Sequence, residues 1–277
     1  MKSEIAIVFL GFHSAISLLI SSPTTVQNLV PSMKFNLGLW PRRRPSVLGL
    51  VGGIASGKST VSKVLTECCG VTTIDADKLG HESYLPGTRC FDRLVEEFGP
   101  KIVAGDGTID RRALGEAVFG KPANMERLQG IVWPEIRLLA EKRFYGLGEQ
   151  GAEFAVLEAA VLLEAGWDDI CDELWVVQVS PAVARMRLMK RNGLSEEQAG
   201  ARISSQPMTN EERAARASVV ISNEGTEEEL VKEVKQVWHS RAAVLKERRR
   251  RRSLAYVLAA IAAAVVGAAT AVVLQRG

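Results

Sequence analysis

Cysteine is scarce in this chain and poorly placed for cross-linking, with four in 277 residues, at positions 68, 69, 90 and 171. Adjacent Cys68 and Cys69 cannot easily serve one zinc ion, and no spacing sets up a disulfide framework, so buried, reduced thiols of an intracellular protein are expected. The footprint of a nucleic-acid binder is also missing. Formal net charge is only +3, and it hides five consecutive arginines at 248–252, without which the remainder is slightly acidic. Basic residues are not spread along a groove with interleaved aromatics, which excludes nucleic acid as the expected partner. No internal repeat is visible. What remains is 47% apolar and 24% charged residues, the balance of a packed globular protein with one ample domain or two small ones.

Composition divides the chain into three zones. Residues 1–45 read as a leader or targeting segment: the apolar stretch 5–20 is short for a membrane span and is interrupted by His13, and Glu4 argues against a mitochondrial presequence. Residues 46–245 alternate short β-branched runs with helical patterns. Strands are expected at 47–51, 71–74, 154–157 and 174–179, and a helix at 58–69, the alternation of a parallel sheet covered by helices on both faces. The last zone, 254–274, is 21 residues without a charge. At 1.5 Å per residue it is long enough to cross a bilayer core of about 30 Å. Its expected role is a C-terminal transmembrane helix, with the arginine run on the cytoplasmic side. A buried or self-associating helix is the competing reading.

The sharpest chemical signal follows the first strand. Gly52, Gly53, Ile54, Ala55, Ser56, Gly57, Lys58, Ser59 and Thr60 carry the P-loop spacing, with a buried strand before them and a helix after. Glycine permits backbone conformations that a Cβ would forbid, so several amides can face one phosphate, and the helix start adds its own unpaired N–H groups. Lys58 is expected to neutralise the β and γ phosphates of ATP, and Ser59 to hold Mg2+. Asp75 and Asp77 follow the second strand at its carboxyl end, where ligands bind in open α/β sheets. A carboxylate there can take the proton of an attacking hydroxyl; capping of the next helix is the competing reading, stronger for Asp75 than for Asp77. No Asn-Lys-x-Asp segment for reading guanine occurs, which disfavours a GTPase.

Together these segments are familiar. Residues 49–60 (GLVGGIASGKST) and 74–77 (IDAD) resemble the opening of the dephospho-coenzyme A kinase family. The resemblance continues through 107–119 (GTIDRRALGEAVF), 156–167 (VLEAAVLLEAGW), 191–206 (RNGLSEEQAGARISSQ) and 219–225 (VVISNEG). It implies an α/β P-loop kinase with a helical acceptor region at about 78–150 and a lid at about 183–216. It also implies Mg2+-assisted transfer of the ATP γ-phosphoryl group to the ribose 3′-hydroxyl of dephospho-coenzyme A. In the family pattern Asp77 resembles the base, Arg111 faces the acceptor with Asp75 and Asp77, and Arg187 and Arg191 resemble lid arginines over ATP. Glu158, at the end of the third strand, stands where the family often has aspartate and could reach Mg2+ through water. Two departures stand out: Trp133-Pro134 where many bacterial members have His-Pro, and Val161 where they have proline. Both resemble the kinase half of the animal bifunctional coenzyme A synthase, with no adenylyltransferase half here. A separate adenylyltransferase is therefore an expected functional partner.

Two rival readings stay open. One is a P-loop kinase for another small hydroxyl compound, and the other is a membrane-tethered nucleotide-binding scaffold without turnover. The presence of Lys58, Ser59, Asp77, Arg187 and Arg191 weighs against the second. If the tail anchors, the kinase faces the cytosol from the mitochondrial outer membrane or the endoplasmic reticulum.

Overall fold

A strand buried along all but its last residue organises the body. In the computed structural model, which describes residues 44–276 with side chains through Ala255 and at Leu258, β1 (Ser46–Gly52) lies at the centre of a five-stranded sheet. The other strands are β2 (Thr72–Asp75), β3 (Phe154–Glu158), β4 (Glu173–Gln178) and β5 (Val219–Ser222), in the order β2-β3-β1-β4-β5. Every neighbouring pair is parallel. Because both faces of a parallel sheet are covered by helices, its inner strands read as continuous apolar runs, as SVLGLV and FAVL do here.

The pleat sends alternate residues of each strand to opposite cores. Val47, Val51, Ala155, Leu157, Leu174 and Val176 face one cluster, and Leu48, Leu50, Val156, Trp175, Val177 and Ile221 face the other. The second cluster is closed by α1 (Lys58–Cys69), through Val61, Val64 and Leu65. The first is closed by α2 (Ala76–Ser83), α3 (Arg89–Phe98), α4 (Arg111–Val118) and the long α5 (Pro122–Glu149). Three helices follow β4: α6 (Pro181–Asn192), α7 (Glu196–Ser204) and α8 (Asn210–Arg216), over the segment expected as a lid. Reciprocal capping boxes, Ser195 with Gln198 and Thr209 with Glu212, begin α7 and α8.

The expected strands recur with shifts of one residue. The second strand starts at Thr72 rather than Val71 because the Val71 N–H is taken by Leu65 O, closing α1 behind the left-handed Gly70. β5 was not expected from periodicity. It is a four-residue edge strand in which only Ile221 is buried, so it carries too little pattern to read.

The chain ends in α9 (Glu227–Arg276). Leu230, Val234 and Leu245 of α9 belong to the second core cluster, and the compact body reaches Ser253. Part of the arginine run also holds the body together. Arg252 pairs with Asp172 and Arg248 with Glu173, whose fully buried carboxylate also receives Arg241. Among the described residues no helix is long and apolar enough to cross a membrane. Apart from a few residues at its start, the span expected at 254–274 has side chains outside those described, so the transmembrane expectation gains no support here.

Candidate active site

The phosphate loop is shaped by close contacts that leave no room for side chains. A Cβ on Gly52 would lie 2.4 Å from Ser56 Oγ and 2.6 Å from Val177 O, and one on Gly57 would lie 2.2 Å from Asn223 Nδ2. Gly57 has φ 91° and Ala55 has φ 58°, a left-handed turn that a non-glycine residue adopts only at some cost. The loop then enters α1, with Thr60 and Val61 donating to Gly57 O. Asn223, in the loop after β5, braces this turn by donating to Ser56 O at 2.7 Å. Ser56 Oγ itself is buried without a partner.

The two side chains expected to handle phosphate and metal meet a third. Lys58 Nζ lies 2.7 Å from Glu158 Oε1, with only 17% and 15% of the side chains exposed. Ser59 Oγ lies 3.3 Å from the same carboxylate oxygen. Parallel register brings Glu158 there, because the last residue of β3 stands beside Leu50 of β1 and Asp75 of β2. Ser59 and Glu158 supply hard oxygen donors side by side, which fits a Mg2+ ion that takes one or two protein ligands and keeps phosphate oxygens and waters.

The remaining expected residues separate into distinct places. Asp75 is the N-cap of α2: its Oδ1 accepts from Asp77 N–H at 2.9 Å and Lys78 N–H at 3.2 Å. Asp77 stands two residues on, exposed, at the rim of a cavity of about 480 Å³. Arg111, first residue of α4, lines the same cavity together with Tyr84, Gln129, Trp133 and Trp167. Trp133 meets Trp167 edge to face, with ring centroids 6.5 Å apart. Burial pushes the Tyr84 hydroxyl pKa up, the Arg111 guanidinium pulls it down and Cys90 adds to the rise, so at neutral pH Tyr84 offers a neutral donor.

Of the two lid arginines, only Arg187 touches the loop. It contacts Asn223 Oδ1 at 3.2 Å, Gly225 O at 3.4 Å and Ala55 O at 3.5 Å. Arg191 is exposed, and its Nε donates to Asn192 Oδ1. It does not join the site in this structure. Three polar residues at the site were not singled out from sequence: Gln206, which accepts from Ile54 N–H at 2.8 Å, Asn223, and Arg213. Gln206 and Asn223 lie inside the segments that carry the resemblance, so a signal existed, but no spacing rule marked them.

Comparison with known proteins adds to this geometry. The sequence model of the family described as dephospho-CoA kinase matches residues 46–229. A dephospho-CoA kinase of Geobacter sulfurreducens is 46% identical over 196 residues, covering 71% of this chain and 98% of that protein. Among solved structures, TT1252 from Thermus thermophilus superposes with a TM-score of 0.59 at 34% identity, over 71% of this chain and 98% of that one. Dephospho-CoA kinase from Campylobacter jejuni gives 0.50 at 25% identity, over 71% and 97%.

Proposed function

The chain belongs to the dephospho-CoA kinase family, and from that premise we propose that the P-loop and the cavity beside it transfer the γ-phosphoryl group of ATP to the ribose 3′-hydroxyl of dephospho-coenzyme A. One observation carries the reading. The loop lysine, Lys58, meets Glu158 at the carboxyl end of β3, and the next strand over leads to Asp77 at the rim of a cavity large enough for a nucleoside.

The division of labour follows from placement. Loop amides and the start of α1 bind the phosphate chain. Lys58 leaves Glu158 for the β and γ oxygens as ATP arrives, exchanging one anionic partner for another. Arg187 lies over the loop and offsets charge that spreads onto the transferring group. Asp77 accepts the proton of the attacking hydroxyl, and Asp75 holds the helix turn that presents it. Arg111 and the Trp133–Trp167 pair suit the phosphate and the adenine of a nucleotide acceptor. Ser59 and Glu158 would hold Mg2+, which supplies positive charge to the β and γ phosphates. Arg191 reaches the phosphates only if the lid closes further.

Dephospho-coenzyme A is itself the product of an adenylyl transfer, so we include a separate adenylyltransferase as the supplier of the acceptor. We also propose, from the uncharged stretch 254–274 alone, a tail anchored in the mitochondrial outer membrane or the endoplasmic reticulum with the kinase in the cytosol. Carbonate extraction and protease treatment of intact organelles test that separately. A chain released by carbonate, or protected without detergent, removes the anchor or the topology.

For the reaction, the purified chain is assayed for ADP release with dephospho-coenzyme A, shikimate and nucleoside monophosphates. Fastest turnover with dephospho-coenzyme A is expected. Lys58→Ala should lose at least about a hundredfold in turnover. Preference for another acceptor would overturn the substrate, and an unimpaired Lys58→Ala would overturn the loop's role.

A further inference from the structure

Arg213 on α8 is a cation without a counter-charge. It is only 4% exposed, its Nη1 is buried with no hydrogen-bond partner, and Nη2 reaches just one group, Gln206 Oε1, at 3.5 Å. No ion pair joins it to a carboxylate among the described residues. A buried guanidinium serving only the fold would be expected to have an acidic partner beside it, because desolvation of an unpaired charge is unfavourable. The partner missing here is an anion.

The location says which anion. A Cβ on Gly53 would lie 3.5 Å from Arg213 Nη1, 3.2 Å from Gln206 Oε1 and 3.3 Å from Asn210 Oδ1, so these side chains press on the first limb of the phosphate loop. They line a second cavity of about 260 Å³ together with Ile54 and Ile203. The other limb is already occupied, since Asn223 and Arg187 hold residues 55 and 56. Gln206 Oε1 sits where the Ile54 N–H and the Arg213 guanidinium converge, and accepts from both. A neutral amide oxygen is a weak acceptor for such a pair; a phosphate oxygen at that point would take two charge-assisted bonds.

We propose that Arg213 binds the terminal phosphate of ATP, and that the Gln206 side chain stands in for that phosphate until ATP arrives. Lys58 reaches the β and γ phosphates from the helix limb of the loop. Arg213 stands at the opposite limb, beside Gly53, and would take the outermost phosphate from that side. It would distinguish ATP from ADP and grip the group in transfer.

The inference rests on the kinase reading, but its test needs no acceptor. Calorimetric titration of the full chain with ATP and with ADP compares wild type, Arg213→Gln and Arg213→Lys. Arg213→Gln is expected to weaken ATP about tenfold or more and ADP by less than about threefold, the scale of one lost charge-assisted hydrogen bond. Arg213→Lys, which keeps charge and bulk, should recover part of the ATP affinity and provides the same comparison independently. Melting of the empty Arg213→Gln protein should be no lower than wild type, since an unpaired buried charge is gone. Equal losses for ATP and ADP, unchanged binding of both, or a marked fall in melting temperature with unchanged ATP preference would each overturn the proposal. A wild-type chain that binds ATP yet ignores dephospho-coenzyme A would sink the acceptor reading and leave the Arg213 comparison intact.

Discussion

Asp75 and Asp77 stand two residues apart at the end of β2, and substitution should separate a helix cap from a base. Asp75 Oδ1 accepts two backbone N–H groups of the first turn of α2, at 2.9 and 3.2 Å. Losing such a cap costs about 1 kcal/mol, with about 2 as the upper end. In a body of this size about 1 kcal/mol lowers the melting temperature by roughly 2–4 °C. Asp75→Ala should show that drop, and Asp75→Asn should stay near wild type because asparagine caps nearly as well. Turnover of either should fall only a few-fold, through slack in the turn that presents Asp77. Asp77 is the opposite case. Its carboxylate makes no hydrogen bond among the described residues, so Asp77→Asn loses at most a favourable position at a helix start, about 0.3–1 kcal/mol. Turnover should fall by about 10² to 10⁴, the usual general-base contribution. ATP affinity should hold, because Asp77 lies in the acceptor cavity. Scanning fluorimetry reads the first quantity and a coupled ADP assay the second. Asp75→Ala with full thermal stability and turnover down more than about tenfold, or Asp77→Asn within a few-fold of wild type, would refute the assignment.

Glu158→Gln keeps the shape beside Lys58 and Ser59 and removes the charge, so the Mg2+ concentration for half-maximal rate should rise about 10-fold or more; an unchanged Mg2+ profile would exclude Glu158 from the metal site. Trp133→Ala should raise the KM for dephospho-coenzyme A and leave that for ATP within about twofold, since it lines the cavity proposed for the acceptor; the reverse split would place the acceptor elsewhere. Truncation after Ser253 should preserve folding and turnover, whereas Leu245→Ala, which opens a fully buried site, should cost about 2–5 kcal/mol in chemical denaturation. In thiol titration of the native protein at pH 8, exposed Cys68 should react first. Cys171, pushed up to about 12 chiefly by burial, should be thiolate in only about one molecule in ten thousand and react after unfolding; fast labelling of Cys171 would contradict its packing against Gly49.

Much of this site was legible because its information is local. Spacing alone locates the phosphate loop and α1, since glycines, lysine and helix start are contiguous in the chain. Four of the five strands follow from buried apolar runs. Asp75 shows where local reading stops: position favours it over Asp77 as the cap, but only the hydrogen bonds of α2 establish that it is one. Similarly, spacing puts Arg187 and Arg191 on one helix face, but one turn of α6 is about 5.4 Å, enough to bring the first onto the loop and leave the second in solvent.

The sequence by itself determined that this is a P-loop phosphotransferase and, through its family motifs, which acceptor it takes, because loop conformation and helix start are dictated by neighbours in the chain. Tertiary structure decided which distant side chains complete the site. Glu158 reaches Lys58 by parallel register across 100 residues, and Gln206 reaches Ile54 across 152. Arg248 and Arg252 of the arginine run fold back on Glu173 and Asp172. Contacts of this kind depend on how the sheet orders its strands and where the helices pack, and no periodicity along the chain records either.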